Sequence, residues 1–186
     1  MHPTEELKVE HRAIKRVLHV LDRVCSAGQA DEPVDLDQLE GIVEFIQIFA
    51  DRCHHGKEED LLFVAMEEAG VPRESGPIAV MLQEHVLGRE YVSGMSHAVA
   101  ALKVGDQTAW TDFCHNASQY VALLRQHIDK EDNILYPIAD RVLTQEKQQT
   151  LSEGFDQIER ERIGEGRHEA FHRFLEELDR RYGAGA

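Results

Sequence analysis

The stretch His54-His-Gly-Lys-Glu-Glu-Asp-Leu-Leu-Phe63 returns 73 residues later as His127-Ile-Asp-Lys-Glu-Asp-Asn-Ile-Leu-Tyr136. In each copy a His is followed four residues on by a Glu, then by a second acid and an apolar pair. Residues four apart on a helix lie one turn above each other on the same face, so each copy presents an imidazole and a carboxylate together. A Glu-His pair precedes each copy, ending in His11 and in His85, 74 residues apart. The spacing predicts two helical hairpins, each carrying one His and then one His-xxx-Glu, stacked into one pseudo-symmetric bundle.

Working outward, the periodicity predicts four helices for the repeat and two beyond it. The first runs from an N-cap at Thr4 to about Gly28, with His11 in the apolar stripe Leu7, Ile14, Leu18, Leu21. Residues 29–33 are read as a loop. The second begins near Asp35 or Asp37 and ends near Gly70, with Ile46, Ala50, His54, Glu58, Leu61 and Ala65 facing inward. That stripe leaves His55 and Glu59 at the edge or in solvent. The third follows Gly76 and carries Met81, His85, Gly88 and Val92, with Gly88 making room for a ligand or a neighbouring helix. The fourth starts at Gly105-Asp106, carries Phe113, Tyr120, Leu124, His127 and Glu131, and ends or bends at Pro137. Thr144 caps a fifth helix reaching about Arg162, and a last one runs from about His168 to Tyr182. Residues 1–143 thus form the bundle, and 144–186 a C-terminal helical extension that packs on the bundle or on a partner subunit of a homo-oligomer.

Composition agrees with an all-α chain and narrows its partners. Among 186 residues only five are proline, and the formal charge of −15 argues against nucleic acid and anionic membrane surfaces. No run approaches a membrane span, and the N-terminus has no secretory leader pattern. Cys25, Cys53 and Cys114 are an odd number without CxxC spacing, which points away from a disulfide framework and toward a reducing, cytoplasmic setting. Cys53 reads as a buried structural thiol, and Glu159 to Arg162 as surface ion pairs of little value.

Four helices each place one His on the inward stripe, and two add a Glu one turn further. Burying these groups unpaired costs several kcal/mol per ion (roughly), whereas a metal removes that penalty. The set His11, His54, Glu58, His85, His127 and Glu131 exceeds one tetrahedral zinc site, and its imidazole–carboxylate mixture suits iron or manganese. Two ions bridged by Glu58 and Glu131 use it economically. The Glu-xx-His spacing of ferritin-type sites occurs only in the tail, at Glu165–His168 and Glu169–His172, where a solvated face is expected.

At these residues the chain resembles the hemerythrin family, in particular the hemerythrin-like HHE cation-binding proteins. The match runs His11, His54-xxx-Glu58, His85, His127-xxx-Glu131, and covers about residues 4–140. The resemblance implies an up-down-up-down four-helix bundle, with the two extra C-terminal helices outside it. It also implies a non-haem di-iron centre, oxo- or hydroxo-bridged, that meets O2, NO or peroxide as sensor, store or scavenger. A di-iron peroxidase or NO reductase, or a structural metal store, would use the same ligands. Two departures stand out. Oxygen carriers have a second His four residues after the third-helix one, where this chain has Arg89; Tyr91 or Glu90 would be the substitutes. Their last acid comes five residues after the final His, at Asp132, while the stripe and the repeat favour Glu131.

Overall fold

Four long helices carry the two sequence copies and two shorter ones follow, in a computed structural model that describes residues 2–29, 34–164 and 166–183. The first, α1 (Pro3–Gln29), begins one residue before Thr4, whose hydroxyl donates to Asp140 at 2.8 Å instead of capping the helix. The loop expected after Gln29 lies outside the described residues. Asp35 caps α2 (Leu36–Phe45), its carboxylate accepting from the backbone N–H groups of Asp37 and Gln38 at 3.0 and 3.4 Å. The helix continues through π-helical stretches at Ile46–His55 and Glu58–Leu62 into α3 (Phe63–Glu68). Next come α4 (Gly76–Lys103) and α5 (Ala109–Lys130). The latter passes through a π turn at Glu131–Leu135 into α6 (Tyr136–Val142). The break expected at Pro137 is absorbed there, because the proline sits in the first turn of α6, where its missing N–H is not needed.

The repeat helices close into a ring: α1 packs on α5, α5 on α4, α4 on α2, and the Ile46–His55 stretch back on α1. Thr144 caps α7 (Gln145–Arg162), and α8 (Arg167–Tyr182) follows a turn in which Gly164 and Gly166 take φ of 84° and 78°, conformations that favour glycine. Both lie against the bundle. Phe171 meets Phe45 edge-on at 5.2 Å, and a Cβ on Gly41 would come within 2.8 Å of the Phe174 ring, so that glycine permits the close approach of α8.

The apolar core is divided in two. One cluster holds Ile14 to Val24 of α1, the first half of the second helix, the C-terminal half of α4 and most of α5. The other holds Leu7, Leu62, Phe63, Met66, Met81, Leu135 and Tyr136, and α7 closes it with Leu151 and Phe155. On every long helix a histidine falls where the chain crosses from one cluster to the other. His11 lies between Leu7 and Ile14, His54 between Cys53 and Leu62, His85 between Met81 and Val92, and His127 between Leu124 and Leu135. A polar layer is therefore sealed between two greasy ones.

Two expectations from sequence are corrected. Cys25 of α1 and Cys114 of α5 form a disulfide across a Cα separation of 5.5 Å, although 89 residues part them in sequence. Helix adjacency, which cysteine spacing does not report, brings them together, and the inference of a reducing compartment loses that support. Cys53 stays free and buried, with burial pushing its thiol up to about 12. Second, Arg162 and Glu159 reach across from α7 to the second helix. Arg162 donates to the Arg52 carbonyl at 2.9 Å and to Asp60 at 2.5 Å, while Glu159 faces Lys57 at 3.5 Å. Among the described residues no helix is long and apolar enough to cross a membrane.

Candidate metal centre

The four inward histidines share one hydrogen-bonding pattern. Each gives its Nδ1–H to a carboxylate: His11 to Asp132 at 2.7 Å, His54 to Glu10 at 2.7 Å, His85 to Glu59 at 2.7 Å and His127 to Glu84 at 2.9 Å. An ionised carboxylate only accepts, so each ring carries a proton on Nδ1 and turns Nε2 inward. The repeat explains the arrangement. The Glu before His11 or His85 reaches the His of the adjacent His-xxx-Glu, while the acid after Glu58 or Glu131 reaches the lone His of the other copy. Lys57 donates to Glu10 at 2.6 Å, and its counterpart Lys130 donates to Glu84.

Inside this ring the Nε2 atoms meet in pairs, His11 with His54 at 3.1 Å and His85 with His127 at 3.1 Å. Glu131 sets its two oxygens 3.1 Å from His11 Nε2 and 3.0 Å from His127 Nε2, and Glu58 Oε2 lies 3.4 Å from His85 Nε2. Tyr136 donates its hydroxyl to Glu58 Oε1 at 2.7 Å. It stacks on His11 as Phe63 stacks on His85 in the other half. Burial, with Glu58 and Glu131 nearby, holds the Tyr136 phenol protonated.

Seven groups converge, one more than the sequence stripe supplies. His55, expected at the edge or in solvent, is buried. The π-helical stretch Ile46–His55 causes this, since its turns close over five residues and keep both His54 and His55 on the inner side. Its Nδ1 lies 3.4 Å from Asp51 Oδ1 and its ring stacks on His85 at 3.9 Å. Glu59 stays at the edge, as expected. Tyr91 is half-buried against the apolar core and Glu90 is exposed. In the tail, Glu169 and His172 are exposed, and Glu165 lies outside the described residues.

Electrostatics make this layer a hole for a cation. Burial alone would depress the rings, but Asp132 and Glu131 outweigh it and raise His11 to about 9, and the neighbouring carboxylates likewise raise His85 and His127. Against its own burial, Glu131 is held well below the usual carboxylate range by His127 and His11. His55 is pushed the other way, by burial and by its neighbouring imidazoles. Glu58 Oε2 and His55 Nε2 are buried with no hydrogen bond aimed at them, and the two Glu131 oxygens face the Nε2 atoms of His11 and His127. Once the Nε2 protons leave, the facing imidazoles and the buried carboxylate oxygens are electron donors that a di- or trivalent metal satisfies. Within this layer two groups have donor atoms close enough for an ion: His11, His54 and Glu131, and His55, Glu58, His85 and His127, all buried. The residues present therefore fit metal. The sequence signal for the outer acids was the doubled acid of each motif and the Glu of each Glu-His pair; for His55 it was the His-His doublet.

A family model described as the hemerythrin HHE cation-binding domain matches residues 2–139. Uncharacterised proteins of Mycobacterium bovis and Mycobacterium tuberculosis are 26% identical over 161 residues, covering 87% of this chain and 62% of theirs. The iron-sulfur cluster repair protein YtfE of Salmonella newport is 30% identical over 88 residues, covering 46% of this chain and 40% of that protein. The chain thus spans about three-fifths of the length of the mycobacterial relatives. No solved structure matches.

Proposed function

The chain belongs to the hemerythrin HHE cation-binding domain family, and on that premise we propose that its buried layer holds two iron ions and binds O2, NO or peroxide as sensor, store or scavenger. The observation that carries the reading is the uniform direction of four imidazoles, each with Nδ1 committed to an acid and Nε2 turned to the centre. His11 and His54 would hold one ion and His85 and His127 the other, with Glu58 and Glu131 between them. Asp132 is the acid behind His11 and not a ligand. Residues 1–143 are the metal-holding bundle, and 144–186 its C-terminal cover.

When bound, iron would supply an electron source and an open coordination position for a small ligand. The protein does the rest. Asp132, Glu10, Glu59 and Glu84 fix ring orientation and make the Nε2 atoms better donors. Lys57 and Lys130 offset the charge of Glu10 and Glu84, so the acids stay ionised. The apolar clusters on either side exclude water, which strengthens every charge interaction in the layer. Tyr136 keeps a proton on its hydroxyl beside Glu58, a donor placed to fix that carboxylate.

Anaerobic loading with ferrous iron, followed by optical spectra before and after O2 or NO, tests the reading. A new near-ultraviolet and visible band on adding either gas is expected. Indifference of the iron-loaded protein to O2, NO and peroxide alike would leave a storage site instead.

A further inference from the structure

His55 breaks the two-fold pattern of the site. Its counterpart in the second copy is Ile128, an apolar core residue, yet His55 is buried almost as deeply, at 4% exposure against 1%. A buried nitrogen without a partner costs about 1–3 kcal/mol, a penalty that isoleucine avoids. His55 Nε2 is such a nitrogen. Its ligand atom lies within 4.8 Å of those of Glu58, His85 and His127. Its Nδ1 faces Asp51, repeating the carboxylate support of the other four rings.

Arg89 explains how the extra ring is held. Its Nε donates to Asp51 Oδ1 at 2.7 Å and its Nη2 to Glu59 Oε1 at 2.7 Å. Those two acids are the ones behind His55 and His85, whose rings stack at 3.9 Å with 17° between planes. One guanidinium thus spans both supports. We infer that His55 is a fifth imidazole ligand, serving the ion held by Glu58, His85 and His127, and that Arg89 is its positioning residue. The assignment rests on the di-iron reading. It gives Arg89, at the place where the oxygen carriers have a ligating His, the task of orienting an imidazole supplied from the neighbouring helix. The arrangement also leaves the two ions unequal, because the His11–His54 half gains no such ring. A cleft of about 370 Å³, lined by Asp51, His55, Gly88, Arg89 and Tyr120, leads from the surface to His55.

The test uses iron, with 57Fe Mössbauer spectra and chelator titration as readouts. His55→Ile copies the residue of the other half and preserves burial. His55→Gly leaves a hole that free imidazole enters through the cleft. The wild type should hold two irons in two distinct environments. His55→Ile should release one of them at a chelator concentration at least tenfold lower, with the other unchanged. Imidazole should restore the lost iron in His55→Gly, and Arg89→Met should weaken the same iron less severely. Two irons held equally well by the wild type and both His55 variants, with unchanged Mössbauer doublets, would overturn the assignment while leaving the di-iron reading intact. A folded wild type that takes up fewer than two irons would remove the reading itself, and this inference with it.

Discussion

Replacing Lys57 with methionine separates the buried half of the charge network from its exposed twin. Lys57 Nζ faces Glu10 at 2.6 Å, Glu6 at 2.8 Å and Glu159 at 3.5 Å, and sits 5.5 Å from the centre of the Phe155 ring. Its side chain is fully buried, and Glu10 and Glu6 hold it charged against the downward pull of burial. Glu6 and Glu159 are 28% and 35% exposed and rehydrate when the ammonium goes, but Glu10, at 11%, keeps only His54 as a partner. Breaking a buried pair costs about 3–5 kcal/mol, and the lower end applies because two of the three acids reach water. At about 2–4 °C per kcal/mol for a chain of this size, the melting temperature of the metal-free protein should fall by roughly 6–12 °C. Lys130→Met removes the equivalent contact to Glu84, but that lysine is 32% exposed, so about 1 kcal/mol or less is expected. Thermal denaturation of both variants at one pH gives the comparison, and chelator competition on iron-loaded protein should show a loss of about tenfold in affinity for Lys57→Met, because Glu10, no longer held by Lys57, fixes His54 less firmly. Equal melting temperatures for the two variants would refute the view that α7 turns a surface pair into a buried one.

Three further outcomes follow from the same geometry. Glu131→Ala should strip metal far more than Asp132→Ala, read as iron retained after desalting, because Glu131 faces the Nε2 atoms while Asp132 stands behind His11. Gly88→Ala should stabilise by about 0.5–1 kcal/mol in urea denaturation; the added Cβ would meet Tyr120, Leu124 and Leu123 at 3.6, 3.7 and 3.9 Å, ordinary contact distances. Metal-free protein should lose stability as pH rises from about 6.5, the free imidazole value, because the folded-state pKa of His11 is raised to about 9 and its stabilising protonation disappears across that window. His55, shifted downward, penalises the fold only below the ordinary imidazole range. Urea denaturation at pH 6.5, 8 and 9 measures the slope, and iron loading should flatten it.

Helix number, helix ends at Asp35 and Thr144, and the inward direction of His11, His54, His85 and His127 were all legible, because a 3.6-residue stripe reports the face of a regular helix. Where the helix is not regular the same reasoning misleads. Ile46–His55 winds as a π-helix, so His55 turns in and the break expected at Pro137 is absorbed after the π turn at Glu131–Leu135. The partners of the Nδ1 atoms were present in the sequence as doubled acids, but their exchange between copies requires the helices to be set side by side. The same holds for Cys25 with Cys114, and for Glu159 reaching Lys57 from α7. Contacts between helices follow from adjacency, and periodicity along one helix is silent about its neighbours.

The most direct measurement is iron per chain after anaerobic reconstitution, with a Mössbauer spectrum of the same sample. Two irons per chain in two environments are expected from the paired groups around Glu58 and Glu131. A folded chain that takes up stoichiometric zinc and no iron, or stays empty with its Nε2 pairs protonated, would contradict a di-iron layer.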